Sequence, residues 1–263
     1  MICRLIRHAT IVLDYKGQKL LVDPVLSPKE ALNAISASPR QRRNPLVSLP
    51  MTEEEMTALL QSLDGVLVTH THTDHFDGAA AQLLPRNIHL FCQPEDAEKF
   101  RAFGFTEVTA IASEVTWNSI TITRRGGRHG SGYIADKLAP VSGYVLSSFG
   151  EPTVYIAGDT IWCQEVADTL AASHPDIVIA NAGAARFLVG GRITMSACDI
   201  MKIAKCLPDA QLIAVHMEAY NHCLLTRKEL SSFADRRGLS DRMWIPGDGE
   251  KRTFGMPAFK NSK

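Results

Sequence analysis

Five residues, Gly65-Val-Leu-Val-Thr69, read as a short buried strand and run without a break into His70-Thr-His72-Thr-Asp74-His75. Four ligand-type side chains thus arrive together at the carboxyl end of one strand, just before a helix expected at 78–84. Side chains of an extended segment alternate, so His70 and His72 point the same way. Asp74 and His75 fall where the chain turns and can face a second ion. A chain of this composition matches His-x-His-x-Asp-His by accident only about once in two thousand cases. A solvated polar loop has no use for three histidines in six residues.

One loop cannot surround an ion, so a metal site must be closed by ligands from other strand ends. Three are offered. His129 follows a strand expected at 119–124, Asp159 follows one at 153–157, and His216 follows one at 212–215. Each sits just past a hydrophobic strand, where open α/β sheets bind their ligands. The donors are imidazoles and carboxylates without thiolate, which suits zinc or manganese, with iron a third candidate.

Composition narrows the partners. Twenty-eight basic residues balance twenty-eight acidic ones among 263, for a formal net charge of +0, and aromatics make up 7%. Neither a nucleic-acid polymer nor an anionic membrane is expected to hold such a chain. No apolar run approaches the ~18 residues of a membrane span, and the first seven residues give way to His8, Asp14 and Lys16 before any signal-peptide core forms. The expectation is a soluble, cytoplasmic protein. The six cysteines show no CxxC spacing and read as buried free thiols, with Cys163, close to Asp159, left open.

Along the chain, strands are expected at 2–6, 11–15 and 19–22, the last two joined at Lys16-Gly17 as a hairpin. A polar excursion over 27–50 follows, with a short helix expected at 30–35. Thr52 and Glu55 sit at capping-box positions for a helix reaching about residue 63. Strands and single helices then alternate, the pattern of a layered α/β fold. One domain spanning 1–263 is expected, with no linker dividing it.

In order and spacing, HxHxDH, a lone His129, Gly158-Asp159-Thr160 and Val215-His216 resemble the metallo-β-lactamase superfamily. Leu21-Val-Asp23-Pro24, Arg43-Asn44-Pro45 and Arg128-His129-Gly130 resemble the branch that contains L-ascorbate-6-phosphate lactonase. The resemblance implies a single-domain, four-layer αββα sandwich with its site at one edge. It implies that His70, His72 and His129 hold a first divalent ion, that Asp74, His75 and His216 hold a second, and that Asp159 bridges them. Two ions sharing a water bring its pKa towards neutrality. Asp74 would then orient that water or shuttle its proton, and His222 or Tyr220 would supply the proton of the leaving group.

Other residues admit two readings. Asp23 either braces the metal loop by hydrogen bonds or is a turn residue before Pro24. His8 reads as a packed core histidine. Arg124, Arg125 and Arg128, with Arg43 and Asn44 as lip residues and Tyr220 beside the site, are candidates to hold a small anionic substrate. The expected activity is dinuclear, metal-dependent hydrolysis of an ester, lactone or phosphoester. The alternatives are a phosphodiesterase for a small cyclic or nucleotide diester and, in another class, a non-hydrolytic di-iron redox or metal-binding protein. The oligomeric state, including a homo-oligomer, stays open.

Overall fold

The computed structural model describes residues 1–138 and 140–255; the end of the domain expected over 1–263 lies outside the described residues. Two seven-stranded mixed sheets face each other. The first holds β1 (Ile2–Arg7), β2 (Thr10–Tyr15), β3 (Gln18–Val22), β4 (Gly65–Leu67), β5 (His89–Cys92) and β6 (Val108–Ala110). The second holds β7 (Glu114–Trp117), β8 (Ile120–Gly126), β9 (Ser142–Ser147), β10 (Val154–Ile156), β11 (Ile177–Asn181), β12 (Gln211–Val215) and β13 (Met243–Trp244). Strand β14 (Lys251–Thr253) returns to close the first sheet beside β1.

Period-two alternation sorts side chains between layers. In β2, Ile11, Leu13 and Tyr15 point between the sheets, while Val12 points outward. In β11, Ile177 and Ile179 point inward, and Val178 and Ala180 outward. The outward rows need covers. Helices α1 (Glu53–Gln61), α2 (Gly78–Leu83) and α3 (Ala97–Ala102) supply Leu60, Ala80, Ala81 and Phe100 to the first sheet. On the second sheet, α5 (Gln164–Ser173), α6 (Ala197–Cys206) and α7 (Arg227–Arg236) supply Leu170, Ile203 and Leu230. Each such leucine, isoleucine or phenylalanine contributes about 1.5–3 kcal/mol on burial. Four layers result, helix–sheet–sheet–helix, as expected. A further helix, α4 (Gly132–Leu138), lies in the β8–β9 connection.

Local chemistry starts the helices where the sequence marks them. Thr52 and Glu55 form the expected capping box, and Ser196 with Asp199 and Thr226 with Glu229 form two more. The six cysteines are free, although Cys198 and Cys206 on α6 are exposed rather than buried. No described helix is long and apolar enough to cross a membrane.

The excursion over 27–50 departs from expectation. In place of a helix at 30–35, Leu32 pairs with Asn44 in an isolated antiparallel bridge, and Glu30 takes a left-handed φ of 61°. Its backbone groups are already committed across the bridge: Glu30 N donates to Pro45 O, and Leu32 and Asn44 exchange both bonds. Two buried side chains pin this segment down. Arg7, fully buried at the end of β1, donates to the carbonyls of Val25, Ser27 and Val47. Asn221 accepts from Ile35 N and Asn44 Nδ2, and the two hydrogens of its Nδ2 face Ile35 O, Ser38 Oγ and Arg40 O.

Removing the Asn221 amide leaves several buried groups without partners, each at a cost of about 1–3 kcal/mol. Asn221→Ala is therefore expected to lower stability by at least ~2 kcal/mol in urea unfolding and to open 33–44 to limited proteolysis. An unchanged midpoint together with unchanged protease resistance would show that the clasp does not hold the excursion.

Candidate metal centre

Strands β1, β3, β4, β8, β10, β11 and β12 run in one direction, so their carboxyl ends share one edge of the sandwich. That edge gathers His8, Asp23, the 70–75 loop, His129, Asp159, Asn181 and His216. All seven residues read from the motif as ligands converge there, and all but the half-buried His72 are buried. His72 therefore borders the opening. Gly158, at φ 65°, lets Asp159 follow β10 closely: a Cβ at that glycine would meet Ser142 O at 2.5 Å.

Among the described residues four groups of donor atoms lie within ion-binding reach, each with all its atoms within 4.8 Å of one another. The first two share no residue: one is His70, His72 and His129, the other His8, Asp74, His75 and His216. His70, His75 and Asp159 form a group that links them, and His216, His222 and Cys223 form the fourth. Asp159 sits between the first two, its Oδ2 3.4 Å from His129 Nε2 and 3.2 Å from His75 Nε2, its Oδ1 3.4 Å from His216 Nε2. Asp74 Oδ2 lies 3.5 Å from His216 Nε2 and 3.4 Å from His222 Nε2. Most of these separations exceed an N–H···O hydrogen bond. They match the ~3.4 Å between two ligands at ~2.1 Å around a tetrahedral ion. His75 Nε2, Asp159 Oδ2 and His216 Nε2 are buried and have no hydrogen-bond partner among the described residues. Orphaned, convergent donor atoms at this spacing fit divalent ions.

The surroundings fix which ring nitrogen faces inward. Asp23 Oδ1 accepts from Thr69 N, and its Oδ2 accepts from Thr69 Oγ1 and His75 Nδ1 at 2.7–2.8 Å. Having donated to Asp23, the Thr69 hydroxyl accepts from His70 Nδ1 at 3.1 Å. His129 Nδ1 donates to Ile193 O at 2.8 Å, and Cys223 Sγ lies 3.4 Å from His216 Nδ1. With the outer nitrogens engaged, the Nε2 lone pairs of His70 and His129 point into the site. Asp23 thus holds Thr69 and His75 by three hydrogen bonds.

Charge divides the two sets. Burial holds His70, His72 and His129 below the usual histidine range, His129 at about 4. Burial also lowers His75 and His216, but facing carboxylates outweigh it: Asp159 and Asp23 raise His75 to about 10, and Asp159, Cys223 and Asp74 raise His216 well above 6.5. Burial raises Asp74 and Asp159, yet the neighbouring imidazoles hold both well below the carboxylate range.

The expected substrate residues fare differently. Asn44 is fully buried, with its amide spent on Asn221. Arg43 donates to Glu30 O, Ala31 O and Asn33 Oδ1, stapling its own excursion. Arg124 is held by Ser142 Oγ and Glu95, and the exposed Arg128 lies 3.5 Å from Glu165. Arg125 falls on the outward, helix-side row of β8. Both lip residues are held within the excursion and by Asn221, and Arg124 and Arg128 face Glu95 and Glu165. Tyr220 and His222 do lie at the site: the Tyr220 ring is 4.5 Å from that of His8, and its hydroxyl is 3.4 Å from Thr73 O.

Sequence reasoning missed His8 as a member of this edge, because the groups around it come from the far end of the chain. A cleft of about 230 Å³ opens beside His129, lined by Arg128, Gly132, Ala135, Asp136, Val141 and Glu165. Tyr133 on α4 and Leu188 and Val189 on the 186–192 loop, which touches α4 through Gly190 and Ile134, are large, exposed and apolar.

In chelator-stripped protein near pH 7, His75 and His216 are expected to be protonated and His70, His72 and His129 neutral. A raised pKa means that protons compete with the ion. Uptake at the second set is expected to release about two protons and to strengthen by ~10- to 100-fold per pH unit between pH 6 and 9. Uptake at the first set is expected to release almost none. Calorimetry in buffers of different ionisation enthalpy measures both, and equal proton release in the two steps would refute the division.

A family model described as "Beta-lactamase superfamily domain" matches residues 18–217. The UPF0173 protein YddR of Bacillus subtilis (strain 168) is 38% identical over 252 residues, covering 95% of this chain and 98% of that protein. The crystal structure of an isothiocyanate hydrolase from Delia radicum gut bacteria is 40% identical, with a TM-score of 0.91 over 97% of this chain and 100% of that one. A possible metal-dependent hydrolase from Veillonella parvula DSM 2008 is 33% identical, with a TM-score of 0.93 over 97% and 99% of the two chains.

Proposed function

The chain belongs to the metallo-β-lactamase superfamily and, within it, to the UPF0173 family of metal-dependent hydrolases, and from that premise we propose that it is a dinuclear hydrolase of a small, uncharged substrate with an electrophilic carbon, an isothiocyanate being the favoured class. The observation that carries the two-ion reading is Asp159, whose Oδ2 lies between imidazoles of both donor sets. Three further points support the substrate class. Arg124 and Arg128 face carboxylates, the exposed Tyr133, Leu188 and Val189 on α4 and the loop against it are apolar, and a relative of 40% identity is named for isothiocyanate hydrolysis.

In this reading His70, His72 and His129 would hold one ion, Asp74, His75 and His216 the other, and Asp159 would contact both. Divalent ions held there would supply a water of near-neutral pKa and polarisation of the carbon under attack. The chain's own groups do the rest. Asp23 and Thr69 keep His75 and His70 in register. Asn181 Nδ2 donates to Asp159 Oδ1 at 2.6 Å and fixes the bridging carboxylate. Hydrolysis of an isothiocyanate adds water's oxygen to carbon, moves both of water's protons to nitrogen and breaks the carbon–nitrogen bond, releasing an amine and carbonyl sulfide. In this reading His222, buried with Nε2 3.4 Å from Asp74 Oδ2, carries one of those protons to nitrogen.

The test is a panel of benzyl isothiocyanate, an aryl lactone and an aryl phosphodiester, run on protein loaded with zinc or with manganese. Amine release that is lost on chelation is expected to exceed the other two activities. A protein with two ions that hydrolyses only the lactone would restore the anionic-lactone reading, and one that hydrolyses only the diester the phosphodiesterase reading.

Asp159→Asn keeps the shape of the side chain and removes its charge. Loss of at least one ion by elemental analysis, and of ~10²-fold or more in turnover, is expected. Retention of both ions with near-normal turnover would overturn the bridging role.

A further inference from the structure

His8 belongs to neither the seven-residue ligand set nor the proton-carrying role given to His222. It follows β1 at a left-handed φ of 61°, a conformation that non-glycine residues adopt only under constraint. Its side chain is 0% exposed, and neither ring nitrogen has a hydrogen-bond partner among the described residues. Buried imidazoles are normally satisfied. A strained backbone and two orphaned nitrogens on one residue are costs that packing alone does not account for.

The neighbours define where the ring points. It lies between His216, at 3.7 Å between ring centres and tilted by 38°, and Tyr220, at 4.5 Å. Its backbone carbonyl accepts from His216 N at 2.8 Å, so the two residues are locked at the main chain as well. Held this way, His8 Nε2 faces Asp74 Oδ2 at 3.5 Å.

Two roles are open to an imidazole in that position. It either ligates the second ion or holds a ligand of it. Two imidazoles bound through Nε2 to one ion at ~2.1 Å place their ring centres about 4.5 Å or more apart, because the rings diverge from the metal. His8 and His216 overlap at 3.7 Å, which is too close for both to bind the same ion. Holding a ligand is left. A small turn of the Asp74 carboxylate about its broad terminal torsion brings Oδ2 into hydrogen-bond range of His8 Nε2.

We propose that His8 is a positioning residue, whose Nε2–H donates to Asp74 Oδ2 and thereby fixes the carboxylate's orientation toward the second ion. It mirrors Asp23: there a carboxylate orients a ligand imidazole, and here an imidazole orients a ligand carboxylate. The inference rests on the two-ion reading.

The experiment begins with the parent protein. Calorimetric titration of chelator-stripped protein with zinc gives the number of ions and their separate affinities. One zinc at saturation would overturn the two-ion reading before any variant is made. The zinc-loaded parent, labelled with ¹⁵N-histidine and with His8 signals assigned by their loss in His8→Gln, then reports the His8 tautomer. A proton on Nε2 is expected; a bare, metal-bound Nε2 would overturn the proposal.

Two variants separate donor from ring. His8→Phe keeps a stacked ring without an N–H, and His8→Gln keeps an N–H near the Nε2 position without a ring. His8→Phe is expected to bind the second zinc ~10- to 100-fold more weakly with the first step little changed, and His8→Gln to recover most of that loss. Parent-like second-zinc binding by His8→Phe, or equal weakness in His8→Gln, would make His8 a packing residue. If circular dichroism shows that His8→Phe does not fold, the parent tautomer and His8→Gln decide the question.

Discussion

A buried carboxylate among buried imidazoles is the interaction on which this molecule turns. Asp159 and Asp74 lie out of water, where a lone carboxylate would take up a proton rather than stay charged. Here the imidazoles of His75, His129, His216 and His222 surround them and keep both ionised. That compensation requires side chains from beyond four strand ends, those of β4, β8, β10 and β12, to meet at one point. It therefore requires two sheets whose strands end at a common edge, and a hydrophobic layer between them stiff enough to hold the edge still. The inter-sheet core, from Leu5 and Leu13 on one face to Ile156 and Ile213 on the other, is what makes the charged edge tolerable.

The irregular parts of the chain serve that edge in a different way. The excursion over 27–50 has neither helix nor named strand, and it stays in place because Arg7 and Asn221 satisfy its carbonyls and amides from below. Both residues adjoin the site, Arg7 next to His8 and Asn221 next to His222. The same side chains that anchor the excursion thus tie it to the metal edge. Arg43 and Asn44 look from the sequence like substrate contacts, yet they are part of this fastening. An arginine in a loop without helix or sheet finds carbonyls nearby that nothing else satisfies.

Much of the fold and most of the candidate site are legible in the sequence, for physical reasons. The 70–75 loop declares itself because ligand-type residues are dense and follow a hydrophobic strand. Asp159 and His216 repeat that strand-then-ligand grammar, and Thr52 with Glu55 announces a helix start through contacts three residues apart. What escapes is whatever depends on distant partners or on very few residues. Strands β13 and β14 are two and three residues long, and α4 begins at a glycine, Gly132. Arg124 finds Glu95 and Ser142 across the edge, and no local pattern predicts that pairing. His8 is the clearest case, since its meaning comes from His216 and Tyr220.

Backbone strain ties these observations together. His8, Asp23 and His216 each end a strand in the left-handed region, at φ 61°, 45° and 62°. Glycine would adopt those angles without penalty. Each position instead carries a side chain aimed at the metal edge: His216 as a donor, Asp23 on His75, His8 toward Asp74. A strand that continued straight would carry these side chains past the site or onto the wrong face. The left-handed residue turns the chain at once and leaves its own side chain pointing along the strand's end. A cost of order 1–3 kcal/mol at each position persists only where the surrounding layers over-determine the conformation. The rigidity of the sandwich and the placement of the donors are thus one design: the core supplies the stability that three strained corners consume, and those corners put imidazole and carboxylate where ions can be held.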